Sequence, residues 1–272
     1  MRILIVGASG QLGSELHVLF PDADCPTHDE LDITNLESVN RYLVSHCKIP
    51  YDVCIHCAAL INQNKIEHHH PEYVLKNFMI DDSDIVCNTI NTNIIGTGYL
   101  SEFVAIGYIK KIVYISTEYI YKGNYGNYSE DDDVFPVNRY GWSKLAGEGI
   151  VRQLNENQYL IIRCAFSPKE WHRDVAFTDA YSSREPVNTI AKKISILIIN
   201  NAYGVYNIGQ KRKSIWKYAT SISPNKKIEK MKMIEDISGV KRPQDSSLNT
   251  KKYKKFITNL KDSIDDNNSY SM

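Results

Sequence analysis

The feature that most restricts what this chain can become is the run ILIVGASGQLGSEL near its start. An apolar, β-branched segment leads straight into Gly7-x-x-Gly10-x-x-Gly13, and a helix-compatible stretch follows at once. Gly7 permits a tight turn, Gly10 lets the backbone approach a pyrophosphate, and Gly13 lets the helix pack closely on the strand. The helix start then offers unpaired N–H groups and the positive end of its dipole to phosphate oxygens. A plain βα turn could use three glycines too, but a strand before and a helix after are the context that marks a dinucleotide site.

The rest of the chain repeats the same strand-then-helix unit. Apolar runs at Arg2 to Val6, Val53 to Cys57, Lys111 to Ser116, Tyr159 to Arg163 and Gly204 to Ile208 predict buried parallel strands. Gln11 to Phe20, Leu36 to Ser45, Asn93 to Ala105 and Tyr140 to Leu154 predict helices, the second capped by Thr34 or Asn35. The fold class expected is therefore α/β, a Rossmann-like doubly wound parallel sheet with a small C-terminal substrate lobe. Residues 1–166 form the dinucleotide-binding domain and strand 204–208 returns to it. Residues 167–190 and 226–260 make the lobe, and 261–272, polar and without apolar period, read as a flexible tail. The segment Ile61 to Asn91 exceeds the usual connection length and predicts a helical turn of its own near the site.

Charge narrows the partners. Thirty-two basic and thirty-two acidic residues cancel, so no net field favours nucleic acid or an anionic membrane, and a small molecule is the expected partner. No stretch of about 18 apolar residues occurs, and the short apolar N-terminal run ends in glycine rather than a cleavage site. Six scattered cysteines, several in apolar strand-like runs, read as reduced thiols of a cytoplasmic protein. A homodimer stays open.

Two further segments carry chemistry. After the second strand of such folds an acid meets the ribose 2′-OH of NAD, or a basic group the 2′-phosphate of NADP. Here the stretch is CPTHDELDIT, with Thr27 and His28 in the discriminating slot, Asp29 and Glu30 assigned to the next turn, and Asp32 with Ile33 suited to the adenine. The cofactor expected is NADPH ahead of NADH. Farther on, the strand KIVYIST ends in Ser116-Thr117-Glu118, and NRYGWSKLAGE opens a helix that places Tyr140 and Lys144 one turn apart on one face. A phenol with a pKa of about 10 exchanges protons poorly near neutrality until an ammonium stabilises its phenolate. Lys144 can supply that charge and reach the nicotinamide ribose, and Thr117 at a strand's carboxyl end can donate to a carbonyl oxygen.

With GASGQLGSEL, LDIT, IHCAAL, NIIGTGYL, ISTEYIYKG, PVNRYGWSKLAGE, IIRCAF, GVYNIG and RPQDSSLNTKK in place, the chain resembles the dTDP-4-dehydrorhamnose reductase family, a branch of the extended short-chain dehydrogenases, over roughly residues 1 to 250. The resemblance implies Thr117, Tyr140 and Lys144 as the catalytic triad, with Gly7, Gly10, Gln11, Leu12, Gly13, His28, Asp32, Ile33, Ala58 and Ala59 at the cofactor and Asn93 supporting the site. It implies NAD(P)H-dependent reduction of the C4 keto group of a 4-keto-6-deoxy nucleotide sugar, with Tyr140 delivering the proton, in deoxysugar (rhamnose) biosynthesis. The chain departs from the family at Glu118, where aspartate is usual, in the longer stretch from Leu60 to Thr92, and in the substrate loop. Glu118, Trp171 and Arg184 are the substrate-contact candidates.

Two other functions stay open. A bifunctional 3,5-epimerase/4-reductase would need an added acid/base pair, for which Cys87, Cys164 and His172 are candidates. A non-catalytic, cofactor-binding regulatory subunit resembling methionine adenosyltransferase β would keep the fold without turnover. No metal is expected: His68, His69 and His70 are consecutive and point apart, and Cys54, His56 and Cys57 lie on a core strand. The lysines of KKYKK near the end read as a solvated helix face.

Overall fold

Alternation along the strands decides the architecture. In a computed structural model, which describes residues 1–46, 48–67 and 85–269, five strands form one parallel sheet: β1 (Ile3–Val6), β2 (Val53–His56), β3 (Ile112–Thr117), β4 (Tyr159–Cys164) and β6 (Gly204–Asn207), in that spatial order. Every strand expected from the sequence is present. Ile3, Ile5, Val53, Ile55, Val113 and Ile115 point to one face; Leu4, Val6, Cys54, Ile112 and Tyr114 point to the other. Both faces are thus apolar, and each needs a helical layer. Helix α1 (Gln11–Leu19) and α7 (Val187–Ile199) cover the first through Leu12, Leu16, Ile190 and Ile194. The second lies under α2 (Leu36–His46), α5 (Gly96–Ala105) and α6 (Arg139–Val151).

The connection after β1 goes out to one edge and then back. The second strand of the usual plan is reduced to Asp24, which bridges Leu4 in parallel, and the chain then returns to place β2 on the opposite side of β1. That reversal leaves a crevice at the carboxyl ends of β1 and β2, where sheets of this kind take their ligands. Side-chain caps set the helix starts: the Ser38 N–H donates to Asn35 Oδ1 at 3.1 Å, and the Gly141 N–H donates to Asn138 Oδ1 at 2.8 Å.

The region before α5 differs from the expected single helix. A short helix α3 (Gln63–Glu67) lies in the long connection, and α4 (Ile85–Ile90) passes through a π-helical turn at Asn91–Ile95 before α5 begins. Beyond β4 the chain builds a small lobe. Strands β5 (Val175–Phe177) and β7 (Glu229–Met231) pair in parallel, and α8 (Ile215–Ile222) packs on them around Trp171, Ala176, Tyr218, Ala219 and Ile228. Residues 215–222, which the sequence reading left between the two lobe pieces, therefore belong to the lobe core. Residues 187–190 instead begin α7 on the main sheet. Helix α9 (Lys251–Ser269) runs through most of the segment expected to be a loose tail, anchored at its start by Tyr253 and by Phe256 against Tyr206. Among the described residues no helix is long and apolar enough to cross a membrane.

Candidate active site

The glycine loop has the geometry its spacing requires. Gly7 sits at φ +83°, and a Cβ there would fall 2.6 Å from the Ala58 nitrogen; a Cβ on Gly13 would fall 2.2 Å from the Gly7 carbonyl oxygen. Only glycine allows the β1 turn, the α1 start and the Cys57–Ala58 backbone to meet so closely. Gly10 and Gln11 lie exposed at the mouth, and Gln11 and Ala59 line the adjoining cleft. Leu12 turns the other way, its side chain buried in the core. Ile33 is likewise a core residue, packed where Gly96 leaves no room for a Cβ. Asp32 accepts from the Thr34 N–H and hydroxyl, both at 2.8 Å, and His28 stands exposed with Nε2 3.5 Å from it. Asp24, ahead of that stretch, is engaged by the Tyr51 hydroxyl at 2.6 Å and by Arg2 at 3.2 Å. Glu30 lies in the turn assigned to it from sequence and turns its carboxylate back to Thr27, accepting from its N–H at 2.8 Å and its hydroxyl at 2.9 Å.

Thr117, Tyr140 and Lys144 converge as expected. Thr117 ends β3 and lines the same cleft as Tyr140. Burial pushes the Tyr140 phenol above its ordinary range, with the nearby Thr117 side chain opposing, so it stays protonated and available as a donor. Lys144 is 2 % exposed, and burial pulls its ammonium down to about 8 against the charge of Glu148 and the Cys57 and Cys164 thiols. Its Nζ lies 4.2 Å from the centre of the Tyr114 ring. Tyr140, Lys144 and Glu148 follow one another along one stripe of α6. Glu148 in turn holds Arg163 of β4, which donates through Nε at 3.1 Å and Nη2 at 2.8 Å.

The π turn explains Asn93. Widening the helix by one residue aims its amide at the loop after β2: Asn93 Oδ1 accepts from the Leu60 N–H at 2.8 Å, and Nδ2 donates to the Leu60 carbonyl at 3.0 Å and to Ser143 Oγ at 2.9 Å. One side chain thus ties the loop after β2 to α6 one residue before Lys144.

A cleft of about 630 Å³ opens over these groups toward the lobe. Trp171 and Arg184 line it, Trp171 from within the lobe core, and Trp171 Nε1 and Arg184 Nε are buried without a hydrogen-bond partner among the described residues. Glu118 also borders the cleft but is only 1 % exposed. Its carboxylate accepts from Ser246 Oγ at 2.9 Å and from the Ser183 N–H at 3.4 Å, and burial raises its pKa. It therefore joins β3 to two distant segments of the chain more directly than it faces a ligand. The sequence reading missed Phe166, Arg173 and Arg242 in the lining; the only signal for the last was the late RPQDSS string. Cys164 and His172 both border the cleft, whereas the side chain of Cys87 and the histidines 68–70 lie outside what is described. Among the described residues no cluster of His, Cys, Asp and Glu could hold a metal.

The family model described as RmlD substrate binding domain matches residues 1–178. A dTDP-4-dehydrorhamnose reductase of Aggregatibacter actinomycetemcomitans is 30% identical over 177 residues, 62% of this chain and 53% of the relative. The methionine adenosyltransferase 2 subunit beta of Rattus norvegicus is 27% identical over 165 residues, 57% of this chain and 43% of the relative. The chain thus spans about half the length of the curated relatives it matches. Among solved structures, a dTDP-4-dehydrorhamnose reductase from Bacillus anthracis in complex with NADP superposes with TM-score 0.76 at 26% identity, covering 93% of this chain and 90% of the other.

Proposed function

Since the chain belongs to the RmlD substrate binding domain family, we propose that it is a cytoplasmic reductase that uses NADPH to reduce the C4 keto group of a 4-keto-6-deoxy nucleotide sugar. The observation that carries this reading is the convergence of Thr117, Tyr140 and Lys144 at one end of a cleft that abuts the glycine loop. In this reading the dinucleotide lies over Gly7, Gly10 and Gly13, with its pyrophosphate at the α1 N-terminus and its adenine toward Asp32. The cofactor supplies a hydride. Tyr140, which lines the cleft with Thr117, gives its proton to the nascent C4 alkoxide, and the Lys144 ammonium stabilises the phenolate left behind. Trp171 and Arg184, with Arg173 and Arg242 near them, suit the sugar and the diphosphate of the substrate.

NADPH is favoured by likeness to the Bacillus anthracis structure that holds NADP. The Glu30 carboxylate beside Thr27 suits a ribose hydroxyl better than a 2′-phosphate, so NADH belongs in the same assay. A second reading, a cofactor-binding regulatory subunit, is favoured by the likeness to methionine adenosyltransferase 2 subunit beta. The two separate on one measurement. Purified protein is mixed with NADPH or NADH and a panel of dTDP-, UDP- and GDP-linked 4-keto-6-deoxy sugars, and loss of reduced-cofactor absorbance is followed. Turnover with a 4-hydroxy product supports the reductase; tight cofactor binding without oxidation by any sugar overturns it in favour of the regulatory subunit. Deuterium from solvent at C3 or C5 of the product marks added epimerisation.

A further inference from the structure

Tyr119 sets a second phenol beside the proton donor. It lies in the 3₁₀ turn Glu118–Ile120 that follows β3, and Thr117 holds the start of that turn, its Oγ1 accepting from the Tyr119 N–H at 3.2 Å. The Thr117 hydroxyl hydrogen is thereby left for another acceptor. The other side of the turn presses on α6: a Cβ on Gly141 would fall 2.5 Å from the Tyr119 carbonyl oxygen. Backbone contacts thus fix Tyr119 both to the strand end and to the helix that carries Tyr140 and Lys144. Its ring meets the Tyr140 ring edge-on, with centres 6.5 Å apart and planes at 73°, and both residues border the cleft.

Packing alone would be served by phenylalanine. Buried tyrosines elsewhere in the chain use their hydroxyls: Tyr51 donates to Asp24, Tyr114 to the Lys144 carbonyl and Tyr121 to the Ser129 carbonyl, and Tyr218 pairs with Ser167. The Tyr119 hydroxyl has no hydrogen-bond partner among the described residues. Burial raises its phenol above the ordinary range against the charges of Arg184, Arg242 and Arg173, so it is a neutral donor. All three arginines line the cleft, which puts the hydroxyl among the groups assigned to the substrate. Of the two carbons beside C4 in a 4-keto-6-deoxy sugar, C3 offers a hydroxyl, whereas C5 offers an apolar methyl and a weakly accepting ring oxygen. We propose that Tyr119 is a specificity-determining residue: its hydroxyl donates to the C3 oxygen while Tyr140 serves the oxygen on C4, so the site selects 3-hydroxy over 3-deoxy sugars. The role rests on the reductase reading of the cleft, but sugar selection can be measured without turnover.

Tyr119→Phe keeps the edge-on ring and removes only the hydroxyl. With a 3-hydroxy sugar that is turned over, the loss falls on KM, about tenfold for one hydrogen bond, rather than on kcat. The parent shows that same raised KM with the 3-deoxy counterpart, and the variant treats the two sugars alike. A fall in kcat as large as that of Tyr140→Phe, or an equal loss with the 3-deoxy sugar, overturns the proposal, since neither is the signature of one bond to C3. Calorimetry on the NADP⁺-loaded protein gives the second arm, with dTDP- and UDP-linked 6-deoxyhexoses as probes. The parent binds the 3-hydroxy sugar about tenfold more tightly than the 3-deoxy one, and Tyr119→Phe erases that preference. A parent without the preference, or a variant that keeps it, sinks the contact whether or not any sugar is reduced. If the preference follows Tyr119 and no sugar is reduced, only the reductase reading fails.

Discussion

Replacing Arg163 by methionine tests how the buried ion pair behind the cleft holds α6 in place. Arg163 and Glu148 are 2 % and 1 % exposed. The guanidinium makes two charge-assisted bonds to Glu148 and donates through Nη1 to the Tyr121 hydroxyl at 2.8 Å and the Glu130 carbonyl at 3.0 Å. Methionine fills a similar volume but leaves the Glu148 carboxylate buried without its partner. Removing one member of a buried pair costs about 3–5 kcal/mol, mostly through the uncompensated charge that remains. For a chain of this length, unfolding entropy of about 2.1 cal/mol/K per residue turns that into a Tm lower by roughly 5–9 °C. The reasoning makes a sharper claim about the double variant. Arg163→Met with Glu148→Met replaces both charges by apolar groups, an exchange often neutral or stabilising, so the double variant should regain most of what the single one loses. Thermal and urea unfolding of the parent, both single variants and the double variant complete the cycle. A single variant within about 1 kcal/mol of the parent refutes the reasoning, as does a double variant as unstable as the single one.

Tyr140→Phe should bind cofactor as the parent does, by fluorescence titration, yet lose reduction by about 10²–10⁴-fold, since it removes only the proton donor. Above about pH 8 the Lys144 ammonium is lost, so the reductive rate should fall about tenfold per pH unit there and be flat just below; a rate constant to pH 10 would contradict the role given to that charge. Gly13→Ala sets a methyl against the Gly7 carbonyl and the Ala8 Cα, 2.2 and 2.7 Å away, and should abolish dinucleotide binding in calorimetry or prevent folding; near-parental affinity would rule out the packing described. Glu118→Ala leaves the Ser246 hydroxyl and Ser183 N–H without their acceptor, and should lower stability by about 1–3 kcal/mol in urea. Unchanged stability in that variant would return Glu118 to direct substrate contact.

The sheet was legible because burial on two faces writes itself into the strands: ILIV, VCIH and YLIIRC are apolar at almost every position. Thr117, Tyr140 and Lys144 were legible for a related reason, since a strand end and a helix start fix where three side chains meet. The π turn was not, because nothing in NTNII dictates it locally; it arises where the Asn93 amide is held by Leu60 and Ser143, contacts 33 and 50 residues away. The lobe was blurred for the same reason, its strands β5 and β7 pairing across more than fifty residues. Glu118 shows a different gap. Sequence order put it beside Thr117, but only tertiary structure shows its oxygens held by serines 65 and 128 residues onward.

Those serines also set a timetable. Strands β1 to β4 and the glycine loop leave the ribosome long before Ser246, so the nascent chain can assemble a dinucleotide crevice while the floor beside Thr117 is still missing. Until the stretch around Asp245 and Ser246 arrives to meet Gly123 and Glu118, that buried carboxylate lacks the hydroxyl that shields it. Synthesis therefore delivers the glycine-loop half of the cleft first and the wall beside Glu118 last, and a chain cut short before residue 243 would stop between the two.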